Sequence, residues 1–394
     1  MKGSPLNKNI VALGANSFFT DFSTEMILPL LPIFLERFLH ATKTQIGLIE
    51  GFAELSVALL IALSGFYSDR IGRRKGIVVF GYGLSNLIKP LAFFAQSATM
   101  IATIRIGDRL AKGVRVAPRD ALISASTPNA SSGFVFGFHK MMDGAGALAG
   151  SLATFALLWA LDESEETFRL IFALSLIPGL ISMAILIFLI TDAPFTPTPA
   201  KRFRPEALPK PFYILVLFQS LFSLFAMNYS FMILKAGDNG VALAMIPLAY
   251  AFYNLTQAFF AIPIGRLADR FGKPMLLAFV YLAFALGAVA MASGSVWGAW
   301  IGFGIYGFFA GGFNALAKAI ISDTAPAELK ATAYGVYYTA VGISTLGSLV
   351  MAGWLWDRFG STTPFGMAGM AASVLAVALF GMRRRLDPIL RKQP

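Results

Sequence analysis

Five charged residues in one stretch, Arg105, Asp108, Lys112, Arg115 and Arg119, step by three or four, and Arg109 stands beside Asp108. That spacing puts them on one face of a helix. Acids that can answer them come in pairs four apart, Asp21 with Glu25 and Glu50 with Glu54, and His139 and Asp143 share the same spacing. Carboxylates opposite a row of cations can take up a proton, hand it on, or hold a cation instead. Proton transfer and charge recognition are therefore the chemistry on offer, with Asp21 and Glu25 as the leading proton carriers. Glu50 and Glu54 are expected as plain counter-ions to Lys89 and to the cations of the charged stretch. An enzyme would need a convergent catalytic set, and His139 with Asp143 lacks an evident nucleophile, so no enzyme is expected. A His and carboxylates spread over three helices do not make an expected metal site.

The composition says where the elements that hold these charges must sit. Of 394 residues, 57% are hydrophobic and 13% charged, with a mean hydropathy of +0.69. Soluble domains carry roughly 25% charged residues. Uncharged runs at 170–191, 211–234, 241–264, 331–356 and 359–382 each reach the roughly 20 residues needed to span a bilayer core as a helix. In lipid every backbone amide needs an internal partner, so runs of this length mean helices. The longest run, 275–317, divides at Ser293-Gly-Ser295. Spans are predicted at 10–38, 44–68, 75–95, 100–124, 134–161 and 168–190, then at 213–234, 241–264, 275–292, 296–321, 331–355 and 362–382. The expected fold is all-α and membrane-integral, with twelve transmembrane helices in two six-helix halves. The halves are 1–192 and 213–394, and a proline-rich basic linker at 193–212 joins them. The absence of cysteine excludes disulfides and thiolate metal sites.

A net charge of +11 invites a nucleic-acid reading, but its distribution argues against one. Arg73, Arg74, Lys75, the linker cations Lys201, Arg202, Arg204 and Lys210, then Lys273 and Arg383 to Arg385 fall on one side of the predicted spans. Asp162, Glu163, Glu165 and Glu166 fall on the other. This is the bias that orients membrane helices with the basic side inward. It predicts a prokaryotic inner-membrane protein with both termini cytoplasmic. The expected partners are lipid and a small-molecule solute, not nucleic acid, and a monomer is expected.

The two halves repeat one another. Gly65-Phe-Tyr-Ser-Asp69-Arg70-Ile-Gly72 returns as Gly265-Arg-Leu-Ala-Asp269-Arg270-Phe-Gly272. Pro128 matches Pro326 and Gly137 matches Gly335, both at an offset of 198. Transporters are often built from such internal repeats. The paired Gly-x-x-x-Asp-Arg-x-Gly loops, twelve spans and central basic linker resemble the major facilitator superfamily of secondary transporters over essentially the whole chain. Within it, Gly47-Leu-Ile-Glu50-Gly-Phe-Ala-Glu54, Lys89-Pro90-Leu91 and Asp108-Arg109-Leu-Ala-Lys112-Gly113 resemble a prokaryotic subgroup whose substrates are mostly unassigned.

The resemblance implies roles. Gly65, Asp69, Arg70, Asp120, Asp269 and Arg270 would gate the cytoplasmic side. There Asp69 would face a helix N-terminus, whose dipole favours an anion, and Arg70 would pair with Asp120. Arg109 would take part in proton coupling, and spans 1, 4, 7 and 10 would line a central cavity. Lys112 replaces the family's usual Gln and adds a positive charge. The cavity set is then Arg105, Asp108, Lys112, His139 and Asp143, with Asn228, Tyr229, Tyr253, Asn254, Gln257, Asn314 and Lys318 from the less charged second half. Those amides and aromatic rings suit an amphipathic solute.

The expected function is proton-coupled transport of a small organic solute by alternating access, with no cofactor beyond the proton gradient. The cations of span 4 favour an anionic metabolite or chelate. A drug–proton antiporter is the alternative, although Gly137, Gly146 and Gly150 fit that group's glycine pattern while Ser151 replaces its proline. A lipid scramblase or channel would also span the membrane but needs neither paired gates nor duplicated halves. The sequence leaves open which solute is carried, in which direction, and with what coupling stoichiometry.

Overall fold

The computed structural model describes residues 6–71, 74–127, 132–192, 205–326 and 329–390; the side chains of Gly65, Asp69, Arg70 and Asp269 lie outside what it describes. The described residues form helices and no strand. Eight long helices cross as single pieces: α3 (Lys43–Ile71), α5 (Ala98–Ser126), α6 (Ser132–Ala160), α11 (Ile246–Phe271), α12 (Lys273–Ala292), α13 (Val296–Thr324), α14 (Lys330–Phe359) and α15 (Thr362–Leu390). The other four predicted spans are interrupted, mostly at prolines, which lack the amide and clash with the preceding turn. Span 1 divides into α1 (Lys8–Ile27) and α2 (Leu31–Arg37) at Pro29, and span 6 into α7 (Glu165–Leu174) and α8 (Leu176–Phe188) ahead of Pro178. Span 3 begins as α4 (Arg74–Ile88) and tightens into a 3-10 turn over Lys89–Phe94, with Pro90 near its start. Span 7 divides into α9 (Lys210–Ser223) and α10 (Tyr229–Asp238) without a proline, and the Asn228 side chain caps the second piece by accepting from Ser230 N at 3.1 Å.

Ten helical segments among the described residues are long and apolar enough to cross a membrane. The two predicted spans missing from that set are α5, which carries too many charges, and span 7, whose pieces are each too short. Both departures sit where the sequence concentrates polar chemistry.

The chain forms two compact units: 1–40 with 56–201, and 41–55 with 202–394. Helix α3 is thus shared, its first half grouping with the second unit. The boundary expected at 193–212 coincides largely with 193–204, outside the described residues.

Within each unit, small residues let backbones approach. Transmembrane helices gain little from hydrophobic contact with one another, so close packing through Gly and Ala carries association. In the first unit, Gly146 and Gly150 of α6 lie against the carbonyl oxygens of Phe18 and Phe22 on α1, where any Cβ would overlap them. Thr154, one turn further, donates to Met26 O at 3.0 Å. Gly113 brings α5 against α3, where a Cβ would lie 2.6 Å from Leu60 Cβ. In the second unit, Gly307 and Gly311 of α13 play the same part against Tyr253 and Gln257 of α11. Gly146 and Gly150 of span 5 and Gly307 and Gly311 of span 10 are therefore there for packing.

Overfilling such a contact costs typically about 1–3 kcal/mol. Gly146→Leu is expected to lower the melting temperature of the purified protein by several degrees. Gly137→Leu, on the same helix but with nothing within 4 Å of the added Cβ, is expected to leave it unchanged. Equal melting curves for the two variants would contradict this packing.

Candidate functional site

The first unit gathers its charges around α5. Arg105, Asp108, Arg109 and Arg115 are buried, while Lys112 is half-buried. A charge at the bilayer centre costs about 2.5–3.5 kcal/mol on insertion scales, so each must be met by neighbours. Asp108 accepts from Ser85 Oγ at 2.6 Å and pairs with Arg105 Nη1 at 3.8 Å, and it lies in the field of Lys89 and Arg109. Lys89, at the start of the 3-10 turn, donates to Thr24 Oγ1 at 2.7 Å and Asn86 Oδ1 at 3.3 Å. The Arg115 guanidinium stacks over the Tyr82 ring at 4.1 Å, a cation–π contact that partly replaces lost hydration. Arg119 grips Asp120 at 2.7 Å. The pairing expected between Asp120 and Arg70 involves a side chain outside the described residues.

A second centre lies between α1 and α6, and it is acidic. Asp143 accepts from the Ser17 hydroxyl, and its carboxylate also meets His139 Nδ1 at 3.4 Å and Lys140 Nζ at 3.8 Å. Asp21, half-buried on α1, lies in the field of Asp143, Lys112, Arg115 and Lys140. Two carboxylates and the α5 cations thus share one region. Glu25, the other candidate proton carrier, is one turn further along α1, where its Cβ approaches the Gly150 backbone. His139 is buried, and its Nε2 has no hydrogen-bond partner among the described residues. Asp21 and Asp143 lie within each other's field, a relation that the spacing of Asp21 and Glu25 on one helix does not reveal. Ser17, four residues before Asp21, was the available clue to the face of α1 that meets α6.

Behind these charges sits a neutral polar layer that the sequence reading missed. Thr20 Oγ1 meets Ser182 Oγ at 2.6 Å, Ser182 donates to Asn16 Oδ1 at 2.8 Å, and Asn86 Nδ2 donates to Gly179 O at 3.3 Å. It ties α1, α4 and α8 together and holds Asn86 where Lys89 needs it.

The second unit presents a row of tyrosines. Ring centroids run Tyr229 to Tyr250 at 5.3 Å, Tyr250 to Tyr253 at 5.5 Å and Tyr253 to Tyr306 at 5.3 Å, spacings at which aromatic pairs attract. Tyr306 is fixed by donating to Met227 O at 2.7 Å. Glu50 accepts from Asn228 Nδ2 and from the Tyr229 hydroxyl, both at 3.4 Å, and Glu54 lies in the field of Tyr306. Glu50, expected from the sequence as a counter-ion to Lys89 and α5, thus also takes amide and phenol donors from its own unit. Asn254 and Gln257 are half-buried on α11, on the face that carries Tyr250 and Tyr253, and Asn254 Nδ2 is buried without a hydrogen-bond partner among the described residues. Asn314 and Lys318 are exposed on α13, two and three turns beyond Tyr306.

Of the predicted gating residues, Gly65, Asp69, Arg70 and Asp269 fall outside the described side chains, and Arg270 is exposed beside Phe271. No cluster of metal-ligating side chains occurs among the described residues.

Comparison with known proteins agrees with this architecture. The sequence pattern of the Major Facilitator Superfamily matches residues 13–236 and 213–394. An uncharacterized MFS-type transporter of Methanocaldococcus jannaschii is 34% identical over 361 residues, 89% of each chain. A class H tetracycline resistance protein of Pasteurella multocida is 30% identical over 128 residues, 32% of each chain. Among solved structures, the nucleoside transporter NupG superposes with a TM-score of 0.82 at 13% identity, covering 95% of this chain and all of that one. Its identity is low enough that it speaks to fold alone. With both halves matched and a relative similar along nearly its full length, the chain belongs to the major facilitator superfamily and is an integral membrane transporter.

Proposed function

We propose that the protein is a proton-coupled secondary transporter of a small organic solute in a prokaryotic inner membrane, with both termini cytoplasmic. The observation that supports coupling is the Asp143 carboxylate, held by Ser17 of α1 and by His139 and Lys140, with Asp21 in its field and in that of Lys112 and Arg115. A carboxylate there can hold a proton or a neighbouring cation, but not both at full strength. A solute that engages Lys112 takes that cation away from Asp21 and leaves the carboxylate to the proton. Binding of one ligand then alters binding of the other, which is the thermodynamic requirement for coupling. Arg109 and Arg105 keep Asp108 occupied, so Asp108 serves α5 and does not shuttle.

The excess of cations on α5 supports an anionic metabolite or chelate. A second reading has its own support. Glu50 beside a tyrosine row suits an amphipathic cation, since carboxylates and aromatic faces both attract positive charge. The partial similarity to a tetracycline resistance protein is consistent with that reading.

Two experiments follow, using a solute found by thermal-shift screening of the purified protein. In proteoliposomes, Asp21→Asn and Asp143→Asn are each expected to lose proton-driven accumulation at least tenfold while keeping exchange of labelled for unlabelled solute. Glu25→Gln is expected to have a smaller effect. Accumulation that remains fully pH-driven in the double Asn variant would rule out this pair.

Charge class is decided by competition. If the solute is anionic, Lys112→Gln should weaken binding several-fold while Glu50→Gln leaves it near wild type. The reverse pattern, with lipophilic cations binding tightly and depending on Glu50, would establish the drug–proton alternative.

A further inference from the structure

His139 is the buried titratable group that the two coupling carboxylates leave unexplained. Its imidazole makes one polar contact, Nδ1 to the Asp143 carboxylate at 3.4 Å. Nε2 is buried and has no hydrogen-bond partner among the described residues. Buried polar atoms are rarely left that way, and an unmet one costs about 1–3 kcal/mol. A residue kept only to fill space on α6 need not carry that cost, since an apolar side chain fills the same space without it.

Position gives the ring a direction. His139 stands about two turns, roughly 10 Å, inside the start of α6 at Ser132, and Asp143 follows one turn deeper. The charged groups around the ring are Asp143 and Lys140 of its own helix and Arg119 and Asp120 of α5. Asp21 of α1 joins them through the field of Asp143. A proton on the ring is thus met by charges of both signs. Arg119 and Asp120 are paired at 2.7 Å toward the end of α5, and the Asp120 side chain is 45% exposed. From Asp21 through Asp143 and His139 to Asp120, titratable groups lead from within the helices to an acid in reach of water. All of them belong to the first unit.

We propose that His139 is a proton relay between Asp143 and water at the end of α6 that the proposed topology places in the cytoplasm. The relay rests on coupling through Asp21 and Asp143. Imidazole suits the task because one nitrogen can accept a proton while the other gives one up. In the release direction, protonated Asp143 passes its proton to Nδ1 of a neutral ring that carries hydrogen on Nε2. The imidazolium so formed loses the Nε2 proton to water and is left neutral, with hydrogen on Nδ1. Proton exchange with water restores the starting tautomer, and uptake runs the same steps backwards. Nε2 is covered in this structure, so the water step requires water to enter beside Arg119.

A relay sets how fast protons move and not how much energy they deliver. In proteoliposomes, His139→Gln and His139→Ala are each expected to slow pH-driven flux about tenfold or more. Final accumulation and exchange of labelled for unlabelled solute are expected to change far less. Added imidazole is expected to restore flux to His139→Ala, whereas pyrazole, of the same shape but a much weaker base, is expected not to. The Gln variant serves if the Ala variant folds poorly. Wild-type flux that ignores a pH gradient would overturn the coupling reading and the relay with it. With wild type pH-driven, undiminished flux in both variants would overturn the relay alone. Flux and exchange that fall together, with no rescue by imidazole, would also overturn it and assign His139 to packing.

Discussion

Charge inside a membrane must be enclosed and answered, and much of this structure follows from that demand. Helix α5 brings Arg105, Asp108, Arg109, Lys112 and Arg115 into a segment that lipid would otherwise surround. Insertion scales put each such group at about 2.5–3.5 kcal/mol if left unanswered. The first unit is arranged to answer them, with Ser85 and Lys89 on Asp108, the Tyr82 ring under Arg115 and Asp120 on Arg119. The neutral layer of Asn16, Thr20, Asn86 and Ser182 supports that arrangement from behind.

Close helix approach makes such short polar side chains useful. Serine and threonine hydroxyls reach a neighbouring helix only if backbones lie near one another, and glycines at positions 113, 146 and 150 allow that. The same packing brings Ser17 to Asp143. Packing and chemistry are therefore linked: a larger residue at Gly146 would push α1 away from α6 and draw Ser17 off Asp143. The second unit solves a different problem. Around its tyrosine row the polar groups are mostly phenols and amides whose apolar bodies pack while their polar tips find partners, as Tyr306 does on Met227 O.

Much of the fold was legible in the sequence. The uncharged runs, the repeated loops and the offset of 198 residues pointed to twelve helices in two halves, and the family comparison agrees. Helix interruptions were less legible. Pro29 and Pro178 could have marked the breaks in spans 1 and 6, but apolar length alone reads straight through them. Span 7 breaks without proline, at Asn228, which turns its side chain onto the next helix turn. At the site, helical spacing found the cations of α5 because they lie on one element. It could not find that Asp143 takes the Ser17 hydroxyl and lies in the field of Asp21, because Asp143 is 122 positions from Asp21 and only the packing of α1 on α6 relates them. Spacing on one helix likewise joined Glu50 to Glu54 but not to Tyr229.

If proton and solute binding are linked through the Asp21, Asp143 and Lys112 cluster, solute binding must change the number of protons the protein holds. The direct measurement is to add saturating solute to purified protein in weakly buffered solution with a pH indicator. Wild type is expected to take up a proton on binding, and the Asp21→Asn, Asp143→Asn double variant is expected to bind solute with no proton exchanged. Solute binding to wild type with no change in bound protons from acid to alkaline pH would contradict coupling through these carboxylates.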